Sequence, residues 1–195
     1  MKHLALLLLI WIGFFVSVDA FSKMYTADTY AAASTDLTAK GYYVEALANA
    51  KRAVNLNPLE ANYYRLMAKS LILTSAGKEL SDVEVAKAEA LKNLKKAYEL
   101  NPNNLVTLRD SVPLYYFLAI DLSLGADGKK VDTAFLPIAK EFFDSTKVRY
   151  KDDAGVLVLV AKYEKRLGLT DDFNATRAAV EKLRPDLLEW NESLR

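Results

Sequence analysis

Two stretches of this chain are near-copies of each other. Residues 46–58 read ALANAKRAVNLNP and residues 90–102 read ALKNLKKAYELNP. Aligned without gaps, Ala46 matches Ala90, Ala53 matches Ala97, Leu56 matches Leu100 and Pro58 matches Pro102, 44 positions apart. Residues 173–185, FNATRAAVEKLRP, form a weaker third copy ending at Pro185. Tyr150-Lys151-Asp152 occupies the equivalent turn in between, without a proline. Lys151 and Pro185 are 34 positions apart, and the other two steps, 44 and 49, equal 34 plus insertions near residues 74–83 and 124–131. Such a period constrains the fold strongly. One unit of this size cannot bury its own apolar face and has to stack on its neighbours.

The units read as helices. After position 24 no apolar/polar alternation persists, and apolar residues recur at helical spacing. Ala61, Tyr64, Met67, Ala68, Leu71 and Ile72 form one stripe, and Val85, Ala88, Leu91, Leu94, Ala97 and Tyr98 another. Asn57-Pro58 and Asn101-Pro102 place a capping side chain before a proline at the first helical position. Ser81 with Glu84 reads as a capping box. Gly77, Gly125 and Gly168 follow helical runs, where a left-handed residue is needed, and Asp132 and Asp152 stand where they can cap the next helices. The pattern predicts helices over 3–21, 24–39, 42–56, 58–75, 82–100, 103–123, 132–149, 153–167, 171–183 and 186–193. The last would close the stack, with Leu187, Leu188 and Trp190 turned inward.

A helix–turn–helix unit of this length, with small residues in its second helix and a proline after it, resembles the tetratricopeptide (TPR) repeat. The matching residues are Gly41, Tyr42, Ala46, Ala53 and Pro58 in one copy and Tyr64, Ala68, Ala90, Ala97 and Pro102 in the next, with Tyr115 at the aromatic position of the third. The resemblance implies an all-α protein: a TPR-like α-solenoid of about four helical hairpins behind an N-terminal hydrophobic helix. It departs from the pattern at the missing third proline and at Phe173, where a small residue is usual.

The N-terminal helix is the second constraint. Residues 4–18, LALLLLIWIGFFVSV, are apolar apart from Ser17, and Lys2 and His3 precede them. Fifteen residues span roughly 22 Å as a helix, and extension through Phe21 gives about 27 Å against a hydrocarbon core of about 30 Å. Residues 1–21 therefore read as a signal anchor or a signal peptide, with the membrane engaged through residues 4–21, and residues 22–195 as the repeat domain. As an anchor, the segment makes the chain a single-pass protein of the cytoplasmic membrane with its C-terminal domain outside the cytoplasm. As a signal peptide, it is cleaved near Ala20, Val18 and Ala20 taking the −3 and −1 positions, and the domain is secreted.

The order of motifs carries a closer resemblance. A membrane segment leads into MYTADTYAAA, then AVNLNPLEANYYRLMAKSL, AYELNPNNLVTL and YKDDAGVLVLVAKYEKRLG. This is similar to the extracytoplasmic TPR tail of bacterial O-antigen ligase/polymerase family membrane proteins. The many membrane helices that hold that family's glycosyl-transferring site have no counterpart here, so no catalytic residue carries over. The resemblance implies a scaffold whose partner is a membrane glycan polymerase or ligase in cell-envelope polysaccharide assembly.

Composition narrows the chemistry. A net charge of +1 supplies no basic surface for nucleic acid, so no nucleic-acid partner is expected. The chain has no cysteine, and its one histidine is His3, which removes thiol chemistry, Cys/His metal sites and histidine acid/base catalysis from the body. No phosphate loop or nucleophile elbow occurs. Asp121, Asp127-Gly128 and Asp132 lack calcium-loop spacing and read as a turn. Asp152-Asp153 and Asp171-Asp172 could be carboxylates of a glycan hydrolase, but they sit where helix starts need caps. No catalytic residue, metal site or cofactor is expected. The remaining candidate is a ligand groove lined by the first helix of each repeat: Asn62, Arg65 and Lys69, then Arg109 and Tyr116, then Lys162 and Lys165. That face reads basic, which suits a protein partner, an acidic peptide or an anionic glycan.

Overall fold

A computed structural model of the chain describes residues 2–125 and 130–194, with the side chains of residues 2–6, 8, 190 and 193 excepted. The Asp127-Gly128 turn and the inward packing of Trp190 thus lie outside the description. The described residues are all-α, with a single antiparallel bridge between Ile120 and Val131. The nine α-helices are α1 (Lys2–Ala39), α2 (Tyr43–Leu56), α3 (Ala61–Ser75), α4 (Leu80–Leu100), α5 (Leu105–Leu118), α6 (Leu136–Arg149), α7 (Ala154–Arg166), α8 (Thr170–Leu183) and α9 (Asp186–Trp190). Short 3-10 turns follow α5 (Leu122–Leu124) and α9 (Glu192–Leu194). Consecutive helices pack on each other, and α5 also packs against both α3 and α7.

The first two expected helices are one. α1 runs unbroken over 38 residues, about 57 Å. No glycine or proline interrupts residues 19–27, and Lys23 and Asp19 pair at 2.6 Å across the expected break. The C-terminal half of α1 packs through Ala27 and Ala31 against Ala50 and Ala53 of α2 and Tyr63 and Leu66 of α3. These alanines let the helix axes approach. The described side chains of the N-terminal half are exposed: Leu9, Trp11, Phe15 and Phe21 are each more than half accessible. Among the described residues no helix is long and apolar enough to cross a membrane. The stretch 4–21 includes four side chains, at positions 4–6 and 8, outside the description.

Several boundaries correct the sequence reading. Asn57 and Asn101 end α2 and α4 rather than starting the next helices. The prolines after them sit in the turns, and the N-caps are Glu60, which accepts from the Asn62 amide, and Asn104, which accepts from the Thr107 amide at 3.0 Å. Ser81 lies inside α4, so no capping box forms there. Asp153, not Asp152, caps α7, accepting from the Val156 amide at 3.0 Å. α5 stops at Leu118, short of 123, and α6 starts at Leu136, later than 132. Gly168 closes α7 with φ +71°. Its own amide reaches the Lys165 carbonyl and the Leu169 amide reaches the Glu164 carbonyl. Gly168→Ala is expected to lower stability by about 1 kcal/mol, because a Cβ in this left-handed position is strained. A fall in the urea midpoint checks this, and an unchanged midpoint contradicts it.

The two insertions that lengthen the repeat meet each other. The first extends the N-terminal end of α4, and the second forms the 119–135 connection between α5 and α6. Lys87 of α4 is 1 % exposed, and its ammonium donates to the Ile120 carbonyl and the Asp132 carboxylate, both at 2.6 Å. The Gly77 amide donates to the Leu122 carbonyl at 2.8 Å. The buried stripe of α4 is accordingly Val83, Lys87, Ala90, Asn93, Leu94 and Ala97. It is rotated from the expected stripe: Val85 is 72 % exposed, and Ala88 and Tyr98 face solvent. In α3, Tyr63, Leu66 and Ser70 join Ala61, Ala68 and Ile72 in the interior. The central core gathers Ile72, Leu94, Val112, Leu118, Phe143 and Val160 from α3 to α7. A smaller cluster of Leu157, Ala161, Val180 and Leu194 seats α8 and the C-terminus.

Candidate functional site

A groove of about 600 Å³ runs between α3 and α5 and ends against α7. Arg65 and Lys69 enter it from α3, and Arg109 and Asp110 from α5. Its floor is apolar, built from Ile72, Leu73, Pro113, Leu114, Phe117 and Leu159. The helical period explains the layout. Positions 65, 69 and 72 share one face of α3, as do 106, 109, 110, 113 and 117 on α5. Pro113 interrupts the hydrogen-bond ladder of α5, since it has no N–H to send to the Arg109 carbonyl.

The three cations are held differently. Arg65 is largely buried and structural: it pairs with Asp110 at 3.2 Å, and two of its nitrogens donate to the Asn62 side-chain oxygen at 3.1 and 2.6 Å. Burial lowers its pKa from the usual arginine value, and Asp110 opposes that shift. Lys69 and Arg109 have no hydrogen-bond or ion-pair partner among the described residues. Gly155 on α7 leaves room for Arg109; a Cβ there would stand 3.9 Å from its guanidinium and 3.2 Å from Asp153. With Asp110 neutralising one cation, the groove keeps two positive charges over an apolar floor.

The sequence-predicted residues thus divide. Arg65, Lys69 and Arg109 come together in the groove, and Asn62 braces Arg65 from beside it. Tyr116, Lys162 and Lys165 do not line it. Tyr116 packs against Tyr163 with ring centroids 5.0 Å apart, and the Arg166 guanidinium lies within 6 Å of both rings. Lys162 lies over the Tyr163 ring and Lys165 over Phe173. The basic face is therefore two surfaces rather than one. Sequence reasoning missed Asp110, Phe117 and Leu159. Phe117 follows Arg109 by eight positions and Asp110 follows Val106 by four, both at helical spacing, but Leu159 lies on α7 and carried no signal.

A second charged cluster joins α6, α7 and α8. Lys147 pairs with Glu164 at 2.7 Å and Asp144 at 2.9 Å, and Lys140 pairs with Asp172 at 2.5 Å. Oxygens of Asp144, Glu164 and Asp172 lie within 4.8 Å of one another, close enough to hold a metal ion, but the two ammonium groups already occupy that position. The arrangement works as an ion-pair clamp between helices. Burial alone would lower the Lys147 pKa; its bonds to Glu164 and Asp144 outweigh this and raise it. Burial raises the Tyr63 hydroxyl, with its bond to Asp28 adding, and burial raises Tyr115 and Tyr163. Groups with raised folded pKa values contribute stability that is full below their ordinary values, near 10, and lost as pH climbs through the folded ones. Urea midpoints are therefore expected to be flat from roughly pH 7 to 9 and to fall above roughly pH 10. A midpoint unchanged at pH 11 contradicts this.

No family model matches the chain, and no curated protein matches it.

Proposed function

We propose that the chain is a non-catalytic binding scaffold, a TPR-like α-solenoid anchored to the membrane by its N-terminal helix, whose groove takes an acidic segment of a protein partner. The observation that carries this reading is the pair of unpartnered cations, Lys69 and Arg109, at the edge of an apolar groove. Such a site suits a carboxylate flanked by apolar side chains: charge-assisted bonds orient it, and the apolar anchors supply affinity. The sequential packing of helices and the contacts of α5 with α3 and α7 support stacked hairpins. In keeping with the resemblance of motif order, the partner is a glycan polymerase or ligase of the cytoplasmic membrane, with the repeat domain outside the cytoplasm.

Anionic glycan is the second reading, favoured by a different place: the half-buried Tyr116 ring, which packs on the buried Tyr163 and has the Arg166 guanidinium beside it. The test is affinity purification from solubilised membranes of the native chain beside a Lys69→Glu/Arg109→Glu variant and a Tyr116→Ala variant. Loss of a protein partner in the first variant alone supports the groove. Retention in both contradicts it.

A further inference from the structure

Building on the anchored reading, we infer that the turn between α2 and α3 rests on the bilayer surface, so that the body is seated on the membrane by that end rather than hanging free. The exposed apolar residues of α1 are consecutive: Leu9, Ile10, Trp11, Ile12, then Phe14, Phe15 and Val16. At about 100° per residue they cover the whole circumference of the helix. A protein groove covers one stripe of a helix, whereas a bilayer covers every side. The apolar run from residue 4 to Phe21 spans about 27 Å, close to the roughly 30 Å of a hydrocarbon core, with Lys2 and His3 left at the far headgroups.

The continuity of α1 then fixes the direction of the body. Ala27, the first buried residue among those described in the helix, lies only about 9 Å beyond Phe21 along the axis. There the body begins at once. The Tyr63 hydroxyl, at the start of α3, donates to the Asp28 carboxylate, and the Arg52 guanidinium, near the end of α2, lies 5.5 Å from the Tyr30 ring. The end of α2 and the start of α3 therefore flank α1 at its exit from the apolar half. Leu59, in the turn that joins them, is 78 % exposed. The start of α2 is at the opposite end, tied to the end of α1 by the Tyr42 amide on the Leu37 carbonyl. Arg65, near the start of α3, pairs with Asp110, which follows Arg109 near the start of α5. The charged end of the groove thus opens on the membrane side, toward segments of partners that emerge from the bilayer.

The chain has no cysteine, so single reporters are clean. Full-length Leu59→Cys, Val44→Cys and Phe15→Cys chains carry an environment-sensitive dye in vesicles of phosphatidylethanolamine and phosphatidylglycerol. Spin-labelled lipids quench at the headgroup or acyl level. Acyl quenching at position 15 and headgroup quenching at position 59 at least twofold above position 44 is the expected result. Quenching at 15 with equal quenching at 59 and 44 overturns the seating and leaves the anchor. Absence of quenching at 15 overturns both.

Discussion

Replacing Lys87 by methionine lowers the stability of the folded chain by about 3 kcal/mol, the largest effect expected of any single polar substitution in the body. The ammonium is 1 % exposed and serves two oxygens, the Ile120 carbonyl and the Asp132 carboxylate. Methionine fills the space of the stem but leaves the Asp132 charge without its partner and the buried carbonyl without a donor. Asp132 is 19 % exposed, so water offsets part of that loss, which places the effect at the lower end for a broken buried pair. The melting temperature falls by roughly 6–12 °C for a domain of this size. Adding Asp132→Asn removes the stranded charge and keeps the oxygen that accepts from the Ala134 amide. The double variant is therefore expected to recover a good part of the loss. A Lys87→Met chain with an unchanged melting temperature contradicts this role.

The same residue shows where the sequence could be read and where it could not. The repeat marks hairpin after hairpin: Ala46, Ala53, Ala68, Ala90 and Ala97 are all buried, as small residues at helix crossings should be. Helix existence was legible because the apolar period is long and the glycines at 77 and 168 stop it. The face of α4 was not. Lys87 and Asn93 occupy core positions while Val85 and Tyr98 lie outside, so the apolar pattern points to a rotated stripe. A lysine is buried only when oxygens await it, and those oxygens belong to residues 33 and 45 positions away. The caps failed for a local reason. Asn-Pro can start a helix or end one, and here the turn takes up the proline before Glu60 and Asn104 provide the N-caps. The groove was legible in half. Register alone placed Arg65, Lys69 and Arg109 together, but Tyr116 packs on the Tyr163 ring and Lys162 lies over that same ring, away from the groove.

Reversing the two unpartnered cations, Lys69→Glu with Arg109→Glu, is expected to weaken the partner complex by about a hundredfold or more. Each charge-assisted bond is worth about 1.5–3 kcal/mol, and 1.4 kcal/mol is a factor of ten. Reversal adds repulsion to the loss. Stability should barely change, because neither side chain holds another element in place. Arg65→Glu makes a useful contrast: it strands Asp110 and Asn62, so it costs stability as well as binding. Raising salt should weaken the native complex and leave the residual binding of the double variant almost unaffected.

We propose that partners are held in the groove between α3 and α5. A photoreactive side chain at Leu73 or Val106, which line the groove, or at Val85, which is exposed on α4, tests this. Crosslinking in intact cells, followed by mass spectrometry, then maps the contact. The expected result is one membrane protein captured from positions 73 and 106, lost when Lys69 and Arg109 are reversed, and absent from position 85. Capture from position 85 with none from the groove would contradict it.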